Sequence, residues 1–303
     1  MSLPAGRVGS RASALALAQT TLVVDAMRKL GLVVETVTVS TAGDRARSEA
    51  STMLERGAFV KDLEIALLDG RIDLAVHSAK DLPTDVTHGT SLAAFPPRGD
   101  ARDALVSRDG ARLADLPGGA RVGTESPRRR AFLRLDRPDL QVEPIRGNVD
   151  TRLAKLDAGE IDALVVAAAG LERLGRSDRI AEAIPVSRMI PAVGQGALVV
   201  QSRAGDEWVE RLRELDDWAT RLEVTAERAF LRAIGGGCRA PFAAHASWSQ
   251  GELSLDGAAL EPDGGAIVRD RLVGPDEEAV ALGERLARRL LERGAARFAA
   301  PEA

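Results

Sequence analysis

Two successive stretches of the chain alternate strand-like apolar runs with helix-length amphipathic ones, and this rhythm constrains the fold more than any other feature. Residues 7–10 (RVGS) read as a strand end, 13–29 as a helix that stops at Gly31, and 32–41 (LVVETVTVST) as a strand. Residues 41–59 are polar and aperiodic, a long loop of the kind that often serves as a lid or binding loop. A helix over 60–69 closes at Gly70, and 72–78 (IDLAVHS) is a buried strand. After the linker Pro96-Pro97-Arg98-Gly99 the rhythm restarts. Strands are expected at 103–107 (DALVS), 120–124 (ARVGT), 141–146 (QVEPIR) and 161–170 (IDALVVAAAG), with helices from about Ser126 and over 149–158. Residues 189–203 (MIPAVGQGALVVQSR) read as a strand returning toward the first stretch. The pattern argues for α/β domains with largely parallel sheets, and two of them joined by two crossings place a cleft between them.

The last third differs. A helix over 217–233 precedes strands at 241–249, 252–261 and 266–274, separated by SQG and PDGG turns, and a final helix carries Leu282, Leu286 and Leu290 on one stripe. This predicts a small α+β domain with a three-stranded antiparallel sheet. The expected division is 1–96 with 197–216, then 97–196, then 217–303, in line with two or three domains for 303 residues.

Composition excludes several classes. With 45% hydrophobic and 28% charged residues the chain is globular. No apolar run approaches the roughly 18–20 residues of a membrane span. The start, MSLPAGRVGS, lacks the basic and apolar regions of a secretory signal, and a single cysteine, Cys238, forms no internal disulfide; both point to a reducing cytoplasm. A net charge of -4 argues against nucleic-acid binding. Three histidines and one cysteine make no metal-ligand spacing, and His77 reads as packed at a strand end.

Arginines gather where a helix does not favour them. Ser10-Arg11-Ala12-Ser13, Thr124-Glu125-Ser126-Pro127-Arg128-Arg129 and Arg146-Gly147-Asn148-Val149-Asp150-Thr151-Arg152 each lead into a helix, the second with Ser126 as N-cap and Pro127 at the first helical position. Cations near a helix N-terminus are mildly unfavourable, so three such turns suggest an anion that outweighs the repulsion. In α/β sheets these turns lie at the carboxyl ends of strands, where ligands bind, and arginine forks there suit carboxylates or phosphates. Taken singly, each arginine is equally well solvated or paired with a nearby acid. No Gly-rich phosphate loop with its Lys-Ser/Thr is present, and Gly194-Gln195-Gly196 is not a dinucleotide fingerprint. In VHSAKDLP, Lys80 and Asp81 follow a buried strand; they read either as a surface ion pair or as a carboxylate for a cationic intermediate beside a lysine that grips an acidic arm.

The segments GSRASALALAQ, FVKDLEIALLDGRIDLAVHSAKDLP, RRRAF, RGNVDTRLAKLDAGEIDALVVAAAGLERL, PAVGQGAL, TAERAFL and GGCRAP resemble the porphobilinogen deaminase (hydroxymethylbilane synthase) family over nearly the whole chain. The resemblance implies two α/β domains like the lobes of type II periplasmic binding proteins and a third domain with a cysteine loop. It implies a transferase of tetrapyrrole and haem biosynthesis that joins four porphobilinogen molecules head to tail, releasing ammonia each time, then frees the product by hydrolysis. The cofactor implied is a dipyrromethane held by a thioether at Cys238, where glycines leave room beside the backbone and Arg239 favours the thiolate. Asp81 matches the catalytic aspartate, whose carboxylate stabilises the cation left by loss of ammonia. Arg11, Ser13, Ser78, Lys80, Thr124, Ser126, Arg128, Arg129, Arg146, Arg152, Arg173 and Gln195 match cofactor- and substrate-binding positions; Arg11, Arg146 and Arg152 are expected near the condensation site and the others at the cofactor. Arg56 and Phe59 match a lid segment, but Glu55-Arg56-Gly57-Ala58 stands where the family commonly has a GGKG-like stretch, and Glu125-Ser126-Pro127 where it often has Ser-Ser-Leu. A soluble cytoplasmic monomer acting on a small molecule, without nucleic acid, membrane or metal, is implied. The alternatives are a non-catalytic two-lobed anion receptor, disfavoured by the GGGC loop, and a thiol hydrolase, for which His245 near Cys238 has no supporting motif.

Overall fold

The structure, a computed structural model, describes residues 5–39, 58–235 and 240–298, without the side chains of residues 58 and 59. Its first elements are β1 (Gly6–Ser10), α1 (Ala14–Lys29), β2 (Val34–Thr38), α2 (Ala58–Leu68), β3 (Leu74–Ser78) and β4 (Thr90–Ala94). The next are β5 (Asp103–Ser107), β6 (Arg121–Gly123), α3 (Pro127–Asp136), β7 (Gln141–Glu143), α4 (Val149–Asp157), β8 (Ala163–Ala167), α5 (Ala168–Arg173) and β9 (Glu182–Ile184). Then come β10 (Leu198–Arg203), α6 (Trp208–Arg211), α7 (Trp218–Ala233), β11 (Phe242–Ser249), β12 (Glu252–Leu260), β13 (Ile267–Pro275) and α8 (Ala279–Glu292).

The strands form two five-stranded sheets, ordered β2-β1-β3-β10-β4 and β7-β6-β8-β5-β9, and one three-stranded antiparallel sheet, β11-β12-β13. The α/β class and the C-terminal antiparallel sheet are as expected. The expectation of largely parallel sheets is corrected: in each five-stranded sheet two ladders are parallel and two antiparallel. The antiparallel strand in each is one that follows a crossing, β5 or β10. It arrives without a crossover helix, which only a parallel connection requires.

Three further differences have local causes. The run 161–170 is a strand only over Ala163–Ala167; AAGLER then turns helical, as its alanines and leucine favour. The run 189–203 is a strand only over Leu198–Arg203, because Gly194 and Gly196 take positive φ just before it. The strands β4 and β9 were not anticipated; they are short, and each lies at the edge of its sheet.

The two five-stranded sheets share a local construction. Arg7-Val8-Gly9-Ser10 recurs as Arg121-Val122-Gly123-Thr124, and Gly70-Arg71-Ile72-Asp73 as Gly159-Glu160-Ile161-Asp162. Asp73 Oδ2 accepts the Arg7 backbone N–H (2.9 Å) and Nε–H (3.0 Å), as Asp162 Oδ2 accepts those of Arg121 (2.8 and 3.3 Å). A Cβ on Gly9 would lie 2.4 Å from Ile72 Cδ1, and one on Gly123 2.8 Å from Ile161 Cδ1. Glycine is therefore required where each first parallel strand passes its isoleucine.

By contacts the chain divides into two units, Met1–Arg98 with Ala197–Arg221 and Gly99–Gly196 with Leu222–Ala303. In the first, Val8, Leu74 and Val76 pack with Val23, Val24 and Met27 of α1 on one face of the sheet, and Ile72 and Ala75 with Leu63 and Leu67 of α2 on the other. In the second, Leu282, Leu286 and Leu290 are all fully buried against Phe230 and Leu255. Ala243, Ala258 and Leu260 of the antiparallel sheet join Leu105, Phe132 and Val165 in a shared cluster, which is why the C-terminal segment groups with the second unit.

Candidate active site

In the first unit, β1 and β3 are adjacent and parallel, so their carboxyl ends deliver Ser10–Ser13 and Ser78–Asp81 side by side. Helix α1 is stitched to both ends. Thr20 Oγ1 donates to Ser10 Oγ (2.8 Å), and the buried Gln19 Nε2 donates to Ser78 Oγ (3.0 Å). Ser13 caps α1 by accepting the Ala16 N–H (3.3 Å). After Ser78 one 3-10 turn, Ala79–Asp81, leaves Lys80 and Asp81 half-buried. No hydrogen bond or ion pair ties the Asp81 carboxylate to another described residue. The ion-pair reading of Lys80 and Asp81 therefore lacks support among the described residues.

His77, also on β3, is buried as expected. Burial pushes its imidazole down to about 4, with Arg11 adding to the push and Gln201 opposing it. In the unfolded chain it titrates near its ordinary value of about 6.5. His77 thus contributes stability that is present above that pH and lost as pH falls toward 4. Between about pH 7.5 and about pH 5, urea titrations should show the wild type losing about 2 kcal/mol more than His77→Gln. Equal losses in the two proteins would refute the buried neutral imidazole.

In the second unit, Ser126 caps α3 by accepting the Arg129 N–H (3.4 Å), with Pro127 at the first helical position, as read from the sequence. Thr124 is fully buried, and its Oγ1 accepts the Ser126 N–H (3.3 Å). Arg128 and Arg129 are buried, and both meet a carboxylate that sequence reasoning missed. Asp103, fully buried, accepts from Arg128 Nη1 (2.7 Å) and Nη2 (3.0 Å) and from Arg129 Nε (2.7 Å). Burial opposes ionisation of Asp103, but the two guanidiniums outweigh it and hold its carboxyl far below the usual range. Gln195 completes the cluster: its Oε1 accepts from Arg129 Nη2 (3.1 Å) and its Nε2 donates to Asp103 Oδ1 (3.0 Å) and Ala101 O (2.7 Å). The acid-paired reading thus holds for these two arginines. The one signal was an aspartate opening an otherwise apolar strand, DALVS.

The other described arginines make no hydrogen bond to Asp103. Asn148 caps α4 by accepting the Thr151 N–H (2.9 Å). Beside it Arg152 Nε donates to Gly147 O (2.9 Å), and Arg146 is exposed. Arg173 donates to Gly196 O, and burial lowers its proton affinity. Arg11 is half-buried at the end of β1. Arg56 and Cys238 lie outside the described residues, as does the side chain of Phe59.

Two family models match. "Porphobilinogen deaminase, dipyromethane cofactor binding domain" covers residues 7–211, and the C-terminal domain model of the same family covers 221–292. The chain belongs to the porphobilinogen deaminase family. The porphobilinogen deaminase of Syntrophotalea carbinolica is 46% identical over 304 residues, 99% of this chain and 96% of that protein. That of Roseiflexus sp. (strain RS-1) is 50% identical over 291 residues, 95% of this chain and 96% of that protein. Among solved structures, the periplasmic aliphatic sulphonate binding protein SsuA from Escherichia coli is similar with a TM-score of 0.42 and 15% identity, over 96% of this chain and 88% of that chain. No described helix is long and apolar enough to cross a membrane.

A dipyrromethane, the cofactor of porphobilinogen deaminases, carries acetate and propionate arms and two pyrrole N–H groups. The donor set suits it. Two guanidiniums meet one carboxylate in the Asp103 cluster, and the buried Nε of Arg128 and of Arg130 close no hydrogen bond among the described residues. Buried cationic donors of this kind favour carboxylates.

Proposed function

We propose that this member of the porphobilinogen deaminase family uses Asp81 as its catalytic carboxylate and Cys238 as the attachment point of its dipyrromethane. The activity is that of the family: porphobilinogen is deaminated and polymerised to hydroxymethylbilane in tetrapyrrole biosynthesis. The reading of Asp81 rests on one observation, a half-buried carboxylate at the carboxyl end of a central strand that no described residue neutralises. The bound dipyrromethane supplies the free ring position to which the first substrate is joined. Asp81 accepts the pyrrole N–H of the reacting ring and stabilises the positive charge that develops there as ammonia departs. Arg11, Arg146 and Arg152 hold the acetate and propionate arms of substrate and growing chain, and Lys80 those of the cofactor. Ser13, Ser78, Thr124, Ser126, Arg128, Arg129, Arg173 and Gln195 serve the cofactor, directly or by fixing the turns that do, and Arg56 and Phe59 belong to the covering segment.

In the same reading the polypeptide is a cytoplasmic monomer that binds no nucleic acid. Its three domains are 1–96 with 197–216, 97–196 and 217–303, the last carrying the cysteine.

Replacing Asp81 by asparagine keeps the size of the side chain and removes its charge. Turnover of porphobilinogen is expected to fall by about 10²–10³, the typical worth of one electrostatic stabiliser, with an unchanged unfolding midpoint. Near-normal turnover of Asp81→Asn would remove the catalytic assignment.

A further inference from the structure

The segment that carries Lys80 and Asp81 joins β3 to β4, and in the sheet these two strands lie on either side of β10. Gln201 of β10 stands opposite Ala75 of β3 and Leu92 of β4, next to a register shift between Val200 and Gln201. Its side chain is almost fully buried and donates twice, from Nε2 to Glu64 Oε1 (2.9 Å) on α2 and to Thr90 Oγ1 (2.8 Å) at the start of β4. Glu64, itself buried, accepts from Thr87 Oγ1 (2.8 Å) through its other oxygen, and Thr90 Oγ1 donates to Thr87 O (2.7 Å). At the opposite end of the segment, β10 pairs directly with β3, Val199 standing opposite the buried His77 and Leu198 opposite Ser78. The orientation of the amide is dictated by its neighbours: turned over, its oxygen would face Glu64 Oε1, acceptor against acceptor.

The buried pair therefore holds the connection after Asp81, at Thr87 and Thr90, while the pairing of β10 with β3 holds the strand before it. We propose that Gln201, held by Glu64, is a positioning residue that fixes the Lys80–Asp81 turn for the reaction. A buried glutamine on β10 and a buried glutamate on α2 are costly unless satisfied. Their hydrogen bonds here go to Thr87 and Thr90, at the β4 end of the one connection that carries the reactive carboxylate. This inference rests on Asp81 being the catalytic carboxylate.

The test is a double-mutant cycle of Gln201→Met and Asp81→Asn, read as kcat and KM on the full chain carrying its cofactor. Gln201→Met alone is expected to lower kcat about tenfold, because small misplacements of a reacting group are costly in rate, with KM changed less than about twofold. In the Asp81→Asn background the same substitution should change kcat less than about twofold, since the group it positions has lost its charge. Thr87→Val, at the outer end of the chain, should show the same dependence on background at smaller amplitude, and it serves as the probe if Gln201→Met fails to fold. Glu64→Gln, which keeps an acceptor for Gln201, should stay within about threefold of wild type. An equal loss of kcat in both backgrounds would overturn the positioning role and leave Asp81's assignment standing. Near-normal turnover of Asp81→Asn alone overturns both.

Discussion

Cys238→Ser is expected to yield a folded protein whose intact mass equals that of its sequence, whereas the wild type is heavier by two linked porphobilinogen-derived units. The difference is all or none, because the chain has no second cysteine to take the cofactor. A serine hydroxyl is a far weaker nucleophile than a thiolate at neutral pH. A thioether, unlike a disulfide or thioester, withstands both reductant and water, so the increment should survive denaturation and thiol treatment. Fold and cofactor separate in this test. Serine differs from cysteine by one atom, so unfolding in urea should be altered only by the loss of whatever stability the bound group confers. An increment that persists in Cys238→Ser would place the attachment elsewhere.

How far the site is legible in the sequence depends on the distance over which its residues pair. Ser126 and Pro127 form a local signal, a cap followed by proline at the first helical position, and the structure repeats it. Leu282, Leu286 and Leu290 recur at a helical period, and all three are fully buried. The turn of Ser78–Asp81 follows from an apolar strand that ends in polar residues. Asp103 is different: it lies 25 and 26 residues from the arginines it holds, and no periodicity links a strand's first residue to a helix's first turn. Gln201 and Glu64 are 137 residues apart and meet only because β10 returns between β3 and β4. That return is antiparallel, and neither its direction nor its neighbours can be read from an apolar run alone.

The pairing with Asp103 alters what removing Arg128 does. Were Arg128 held only for the cofactor, Arg128→Leu would fold normally and lack the mass increment. Instead its guanidinium forms a two-pronged pair with a fully buried carboxylate and also donates to Ile190 O (2.7 Å). Leucine there leaves Asp103 with Arg129 and Gln195 as its described partners. Breaking a buried pair by removing one member typically costs about 3–5 kcal/mol, a large share of the roughly 5–15 kcal/mol that holds a domain together. Arg128→Leu should therefore unfold at markedly lower urea and fail to retain the cofactor. Replacing Asp103 by asparagine in the same chain should recover part of the loss, because a neutral amide tolerates burial better than an unbalanced carboxylate. Arg146→Leu supplies the contrast. Arg146 is exposed, so this variant should keep the wild-type midpoint and the cofactor, yet stall with few added units when porphobilinogen is supplied. Urea midpoints and intact masses of the three proteins decide the matter. A wild-type midpoint for Arg128→Leu, with only the mass increment missing, would show that its guanidinium serves the cofactor and contributes little to the fold.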